Sequence, residues 1–123
     1  MDSEAAAICA ATKLPFAYRV WPAEMAGSVP YPHIRYWRES TRRVVADNST
    51  YLMVDEYELM LVTEAKDERS EAAVEAAFES FGVVPSNPME AWVPDERLFQ
   101  VSWNFQLIRN DVPESGETGA TGA

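Results

Sequence analysis

The stretch from Tyr51 to Gly82 constrains the fold most, because its hydrophobic period switches from that of a strand to that of a helix. Tyr57, Leu59 and Leu61 alternate with Glu56, Glu58, Met60 and Val62. That period of two predicts a strand with one apolar face and one mixed face. Glu64-Ala65-Lys66-Asp67 breaks the alternation. Beyond it, Val74, Ala77, Phe78 and Phe81 fall at i, i+3, i+4 and i+7, a single helical stripe. Asp67 suits the N-cap, where its carboxylate accepts from orphan backbone N–H groups, and Glu68 and Glu71 suit the first turns. Gly82 is placed for the left-handed C′ position. Two apolar faces so close in the chain bury each other if the helix folds back on the strand. Tyr57, Leu59, Leu61, Val74, Phe78 and Phe81 are therefore expected core residues.

The flanking segments can be placed by asking what extends that sheet. Ser3–Thr12 is Ala-rich and predicts a short helix with Ala5, Ile8, Cys9 and the Thr12 methyl on its apolar face. Leu14-Pro15 stops it. Phe16–Trp21 and Tyr31–Arg38 predict strands, separated by a loop rich in turn formers over Pro22–Pro30. Glu39–Thr50 is polar and too long for a tight turn; it fits an extended loop or the tip of a protruding hairpin. Met89–Val93 predicts a short strand. Leu98–Ile108 has the cleanest alternation: Phe99, Val101, Trp103, Phe105 and Leu107 against Gln100, Ser102, Asn104 and Gln106. The order is α-β-β-β-α-β-β, and the expected class is α+β: a mostly antiparallel sheet of four or five strands with helices on one face. A length of 123 residues suits one domain, here 1–109, followed by an acidic, Gly- and Thr-rich tail over 110–123 with almost nothing to bury. An open sheet leaves edges, which charge, Pro or a neighbouring subunit must manage.

Chemistry is sparse. His33 is the only histidine, with no second His or Cys at ligand spacing, so no metal or cofactor is expected. No Ser lies in a nucleophile-elbow context and no Gly-rich phosphate loop occurs. Cys9 is the only cysteine and lies in the apolar stripe of the first helix, as a buried structural thiol does. Asp55, Glu56 and Glu58 are the densest carboxylates on a strand, with Asp55 on the opposite face from the other two. They could serve acid/base work in a pocket, but a solvated face or one paired with arginines is the simpler reading. Arg35, Arg38, Arg42 and Arg43 form the one basic cluster. Against a net charge of −10 they read equally as a solvated basic edge or as a contact, and among contacts they suit carboxylates of an adjacent protein subunit rather than nucleic-acid phosphates. No apolar run approaches the roughly 20 residues that span a bilayer, so no membrane partner is expected. The acidic N-terminus lacks the positive segment of a signal peptide, which predicts intracellular synthesis.

Three stretches carry a family resemblance: Leu14–Trp37 with its Leu14-Pro15-Phe16-Ala17-Tyr18 opening and Pro30-Tyr31-Pro32 turn; Tyr57–Val83 with Thr63-Glu64-Ala65-Lys66-Asp67 before the helix; and Arg97–Ile108 behind Glu96. Together they resemble the tail completion, tail terminator or head–tail joining proteins of long, non-contractile-tailed phages and related prophages. The Glu39–Thr50 segment and the tail lie outside the resemblance. It implies a non-enzymatic virion protein that forms a ring, typically a hexamer. The ring caps the tail tube, touching the major tail tube protein, and offers a docking surface to the head–tail connector. DNA would pass through its lumen without specific binding, as an acidic lining favours. It would assemble in the host cytoplasm and reside in the tail or neck. A neck or connector component, or a minor tail protein, is the sibling alternative; a small soluble binding or regulatory module is the alternative of another class. Arg35, Arg38, Arg42, Arg43, Asp55, Glu56, Glu58 and Met60 are the expected subunit or partner contacts.

Overall fold

The computed structural model describes residues 3–21, 29–45 and 51–111. The elements are α1 (Ser3–Ala11), β1 (Phe16–Tyr18), β2 (His33–Val45), β3 (Tyr51–Thr63), α2 (Glu68–Ser80), β4 (Met89–Val93) and β5 (Leu98–Asp111). The five strands form one sheet in the order β1-β2-β3-β5-β4. All pairs are antiparallel except β1 with β2, which is parallel, so the sheet is mixed. The parallel pairing requires the long connection between the two strands to bring the chain back to the end of the sheet at which β1 began. The loop predicted over Pro22–Pro30 and the acidic tail lie mainly outside the described residues.

Both helices cover one face. The core joins Ala5, Ile8 and Cys9 of α1 and Val74, Ala77 and Phe78 of α2 to the inward residues Ile34, Tyr57, Leu59, Leu61, Val101, Trp103 and Phe105. These are the alternating positions expected from the sequence. Trp103, opposite Leu59 in the β3–β5 register, is fully buried, and its indole N–H donates to Glu75 at 3.3 Å. Tyr57 stacks on Phe105 with centroids 5.3 Å apart, and Phe78 meets Phe105 edge-on at 4.9 Å. Burial pushes the Cys9 thiol up to about 12, so it stays protonated and inert.

The strand-to-helix junction forms as its residues dictate. The Asp67 carboxylate accepts from the Ser70 backbone N–H at 3.0 Å and the Ser70 hydroxyl at 2.8 Å, which lowers its pKa. At the other end Gly82 has φ +69°, with its N–H on Glu79 O and the Val83 N–H on Phe78 O, both at 3.0 Å. That is the double hydrogen bond of a left-handed C-cap. It corrects one expectation: Phe81 is not core. The helix ends at Ser80, Phe81 takes the cap position, and its side chain is left exposed, while Val83 packs against the core instead.

The second difference is the length of β2. The strand continues past Arg38 to Val45, so the polar stretch from Glu39 is the arm of a protruding hairpin whose tip, 46–50, lies outside the described residues. A shift in the β2–β3 register between Arg38 and Ser40 marks a bulge at Glu39. The alternation that identifies a strand is lost there because the extra residue resets which side chains face inward.

Candidate interaction surface

The sheet face opposite the helices carries Arg35, Trp37 and Arg42 of β2, Glu56, Glu58 and Met60 of β3, and Ser102, Asn104 and Gln106 of β5, as the pairing register requires. No helix covers it among the described residues. Arg35 is its hub. Its guanidinium lies 5.9 Å from the Trp37 ring and 3.3 Å from the Met60 sulfur, and it donates weakly to the Arg19 carbonyl at 3.5 Å. Arg42 Nε reaches the Glu56 carboxylate at 3.3 Å, and the Gln106 amide reaches the same oxygen at 3.3 Å. The bulged Glu39 meets Glu58. Partial desolvation first, and then the hydrogen bond with Glu39, raise the Glu58 pKa, while Ser102 and Arg35 oppose the rise. A partly desolvated acid with a second acid against it is an uneconomical arrangement for an isolated chain.

The expected contact residues therefore divide. Arg35, Arg42, Glu56, Glu58 and Met60 share the open face. Asp55 lies on the helix side, as the alternation requires, and is buried at 3% exposure. It accepts from Arg109 Nε at 2.8 Å, Arg109 Nη2 at 3.3 Å and the Thr41 hydroxyl at 2.6 Å, with Arg38 Nη1 at 3.9 Å. The Arg109 hydrogen bonds hold its carboxyl below the usual range, against a smaller opposing effect of burial. Arg38 belongs with this buried cluster, and the register puts Arg43 on the same face. Asp55 is thus a tie joining β2, β3 and β5 where the hairpin arm leaves the helices behind. It is held by its own chain and does not reach the open face. Arg109 was missed as a site residue. Its signal was present: the inward phase of Trp103, Phe105 and Leu107 lands next on Arg109, and an inward cation requires an inward acid.

His33 is also off the open surface. It is buried at 7% exposure beneath Trp21 and Tyr31, whose rings lie 5.6 and 5.0 Å away. Its Nδ1 sits 2.9 Å from the Pro30 carbonyl, and burial lowers its pKa. The described residues contain no group of three His, Cys, Asp or Glu able to hold a metal ion. No helix among them is long and apolar enough to cross a membrane. A groove of about 540 Å³ opens where Val84, Pro85 and Ser86 pass β5, lined also by Glu39, Glu56, Asn104, Gln106 and Ile108. It contains no nucleophile–base pair and no cluster of strongly shifted groups of the kind that marks catalytic chemistry.

The described residues thus present an open, partly charged sheet face on a two-layer α+β scaffold. No protein-family model matches the chain. No curated protein matches it either. Among solved structures, it is similar in fold to a chain of the virion of a native gene transfer agent particle. The TM-score is 0.56 at 15% sequence identity, and the match covers 86% of this chain and 86% of the other.

Proposed function

We propose that this chain is a structural component of a phage-like virion, and within it the tail terminator: a ring of identical copies that caps the tail tube and offers the head connector a docking surface. The observation that carries the virion reading is the fold shared with a chain of a gene transfer agent virion over 86% of both chains. The three stretches that resemble tail terminators supply the finer role. The open sheet face, with its arginine hub and acid pair, is the kind of surface that a subunit covers in an assembly. The protein is non-enzymatic on this reading. With a net charge of −10, a lumen formed by its acidic surfaces repels the DNA that passes through it.

The test is particle morphology in a producing strain lacking this gene. A terminator ends tube growth, so its loss should give tubes of uncontrolled length without heads. Normal-length tubes that fail to join heads would move the chain to the neck or connector. Intact particles would overturn the virion reading.

A further inference from the structure

The large apolar side chains that stay exposed are not spread over the surface; they gather at the two opposite edges of the sheet. Along the β1–β2 edge are Tyr18, Val20, Tyr31, Val44 and Val45. Along the β5–β4 edge are Val84, Met89, Trp92 and Ile108, and Phe81 precedes that segment. Five of these are more than 60% exposed on their own: Val20 at 66%, Val45 at 64%, Val84 at 90%, Met89 at 70% and Ile108 at 63%. Among the described residues none covers them, because the segments that carry them border solvent.

Backbone groups are left over at the same two places. β1 pairs β2 only over Ile34–Tyr36, so among the described residues β2 from Ser40 to Val45 has no strand on its outer side. β4 likewise has a strand partner on one side only. It is a five-residue edge strand without Pro, and its exposed Met89 and Trp92 do nothing to discourage pairing.

The charges of the two edges are opposite. β1, its following residue and β2 carry Arg19, Arg35, Arg38, Arg42 and Arg43 against the single acid Glu39. The other edge, with the adjoining helix end and turn, carries Glu75, Glu79, Glu90, Asp95 and Glu96 against Lys66 and Arg97. Lys66 is already shared between Glu71 and Glu90.

We propose that these edges are the two halves of one heterologous interface: the β4 edge of one copy docks on the β2 edge of the next. Edge strands align to continue the sheet, the valines of the arm pack on Met89 and Trp92, and the arginines meet the acids. The occupant of each edge is therefore a second copy of this chain. An interface between two different patches propagates head to tail and closes into a ring when the rotation permits. The inference rests on the ring reading above and assigns the surfaces that build it.

Two double variants test it, Val44→Asp with Val45→Asp and Met89→Asp with Trp92→Asp, in the full chain. All four side chains are at least one-third exposed, so circular dichroism and melting should match the parent. Light scattering should show an assembled parent and two monomeric variants. Mixed one to one, the variants should form heterodimers and nothing larger, because each contributes one intact edge. A second readout avoids introduced charge: Val45→Cys and Met89→Cys chains, mixed with a bis-maleimide linker, should cross-link to each other and not to themselves. The only native cysteine, Cys9, is buried and does not compete. A monomeric parent would overturn the ring reading together with this one. An assembled parent whose variants assemble equally well, or whose mixed variants stay monomeric and do not cross-link, would overturn the edge assignment alone.

Discussion

Asp55 is the residue whose replacement should reveal most about how the hairpin arm is held. Its side chain is 4% exposed and engages Thr41 of β2 and Arg109 of β5 from the middle strand. Asp55→Asn keeps the shape and one acceptor oxygen but removes the charge. Breaking a buried ion pair from one side costs about 3–5 kcal/mol when the abandoned charge stays buried. Here the abandoned cations can reach water, because Arg109 and Arg38 are 45% and 38% exposed. Solvent thus returns part of the loss, and about 2 kcal/mol should remain, close to one charge-assisted hydrogen bond. For a chain of this size that lowers Tm by roughly 6–10 °C. The native environment holds this carboxyl below its unfolded range, so its stabilisation is complete above about pH 4 and is lost as pH falls further. Urea unfolding followed by Trp fluorescence, at fixed protein concentration, should show the full gap between parent and variant at pH 7. The gap should close toward pH 3. A difference below about 0.5 kcal/mol at pH 7, or one unchanged by acid, would show that the charge does not tie the strands together.

Two other replacements probe the core and the open face. Trp103→Ala removes a fully buried indole of the core that reaches Glu75 of α2, and should cost about 3–5 kcal/mol in the same unfolding assay; an unchanged midpoint would take Trp103 out of the core. Glu58→Gln should act in the opposite sense. The Glu58 pKa is raised in the folded chain, so its ionised form disfavours folding above its unfolded range, and that penalty fades as pH drops. The variant should melt higher than the parent at pH 7 and lose that advantage in acid; a lower melting point at pH 7 would refute the Glu39–Glu58 repulsion.

Much of this architecture was legible before any coordinates. The alternation in Tyr57–Leu61 and Phe99–Leu107, and the stripe of Val74, Ala77 and Phe78, gave the right elements and the right buried faces. Local periodicity reports which side of an element must leave water, and that requirement survives any choice of topology. The same holds for the Asp67 cap and the Gly82 turn, whose hydrogen bonds close within a few residues. Phe81 marks the limit: a helical stripe cannot say at which residue the C-cap interrupts it.

What lay beyond the sequence concerns contacts between residues far apart in the chain. The arm from Glu39 to Val45 could not be told from a loop, because its inward residues Thr41 and Arg43 are polar and Thr41 is placed there by its hydrogen bond to Asp55. Asp55 in turn was grouped with Glu56 and Glu58 by proximity, whereas the tertiary pairing with Arg109 turned it from a surface acid into a buried tie. The strand order decided the rest. Only once β1 and β4 fall at opposite edges do the exposed valines and arginines gather on one side, and Met89, Trp92 and the acids on the other. Residue spacing along one strand determines which face is buried. Which strand lies at the border, and so what a neighbouring copy would meet, is settled by pairings that no local pattern encodes.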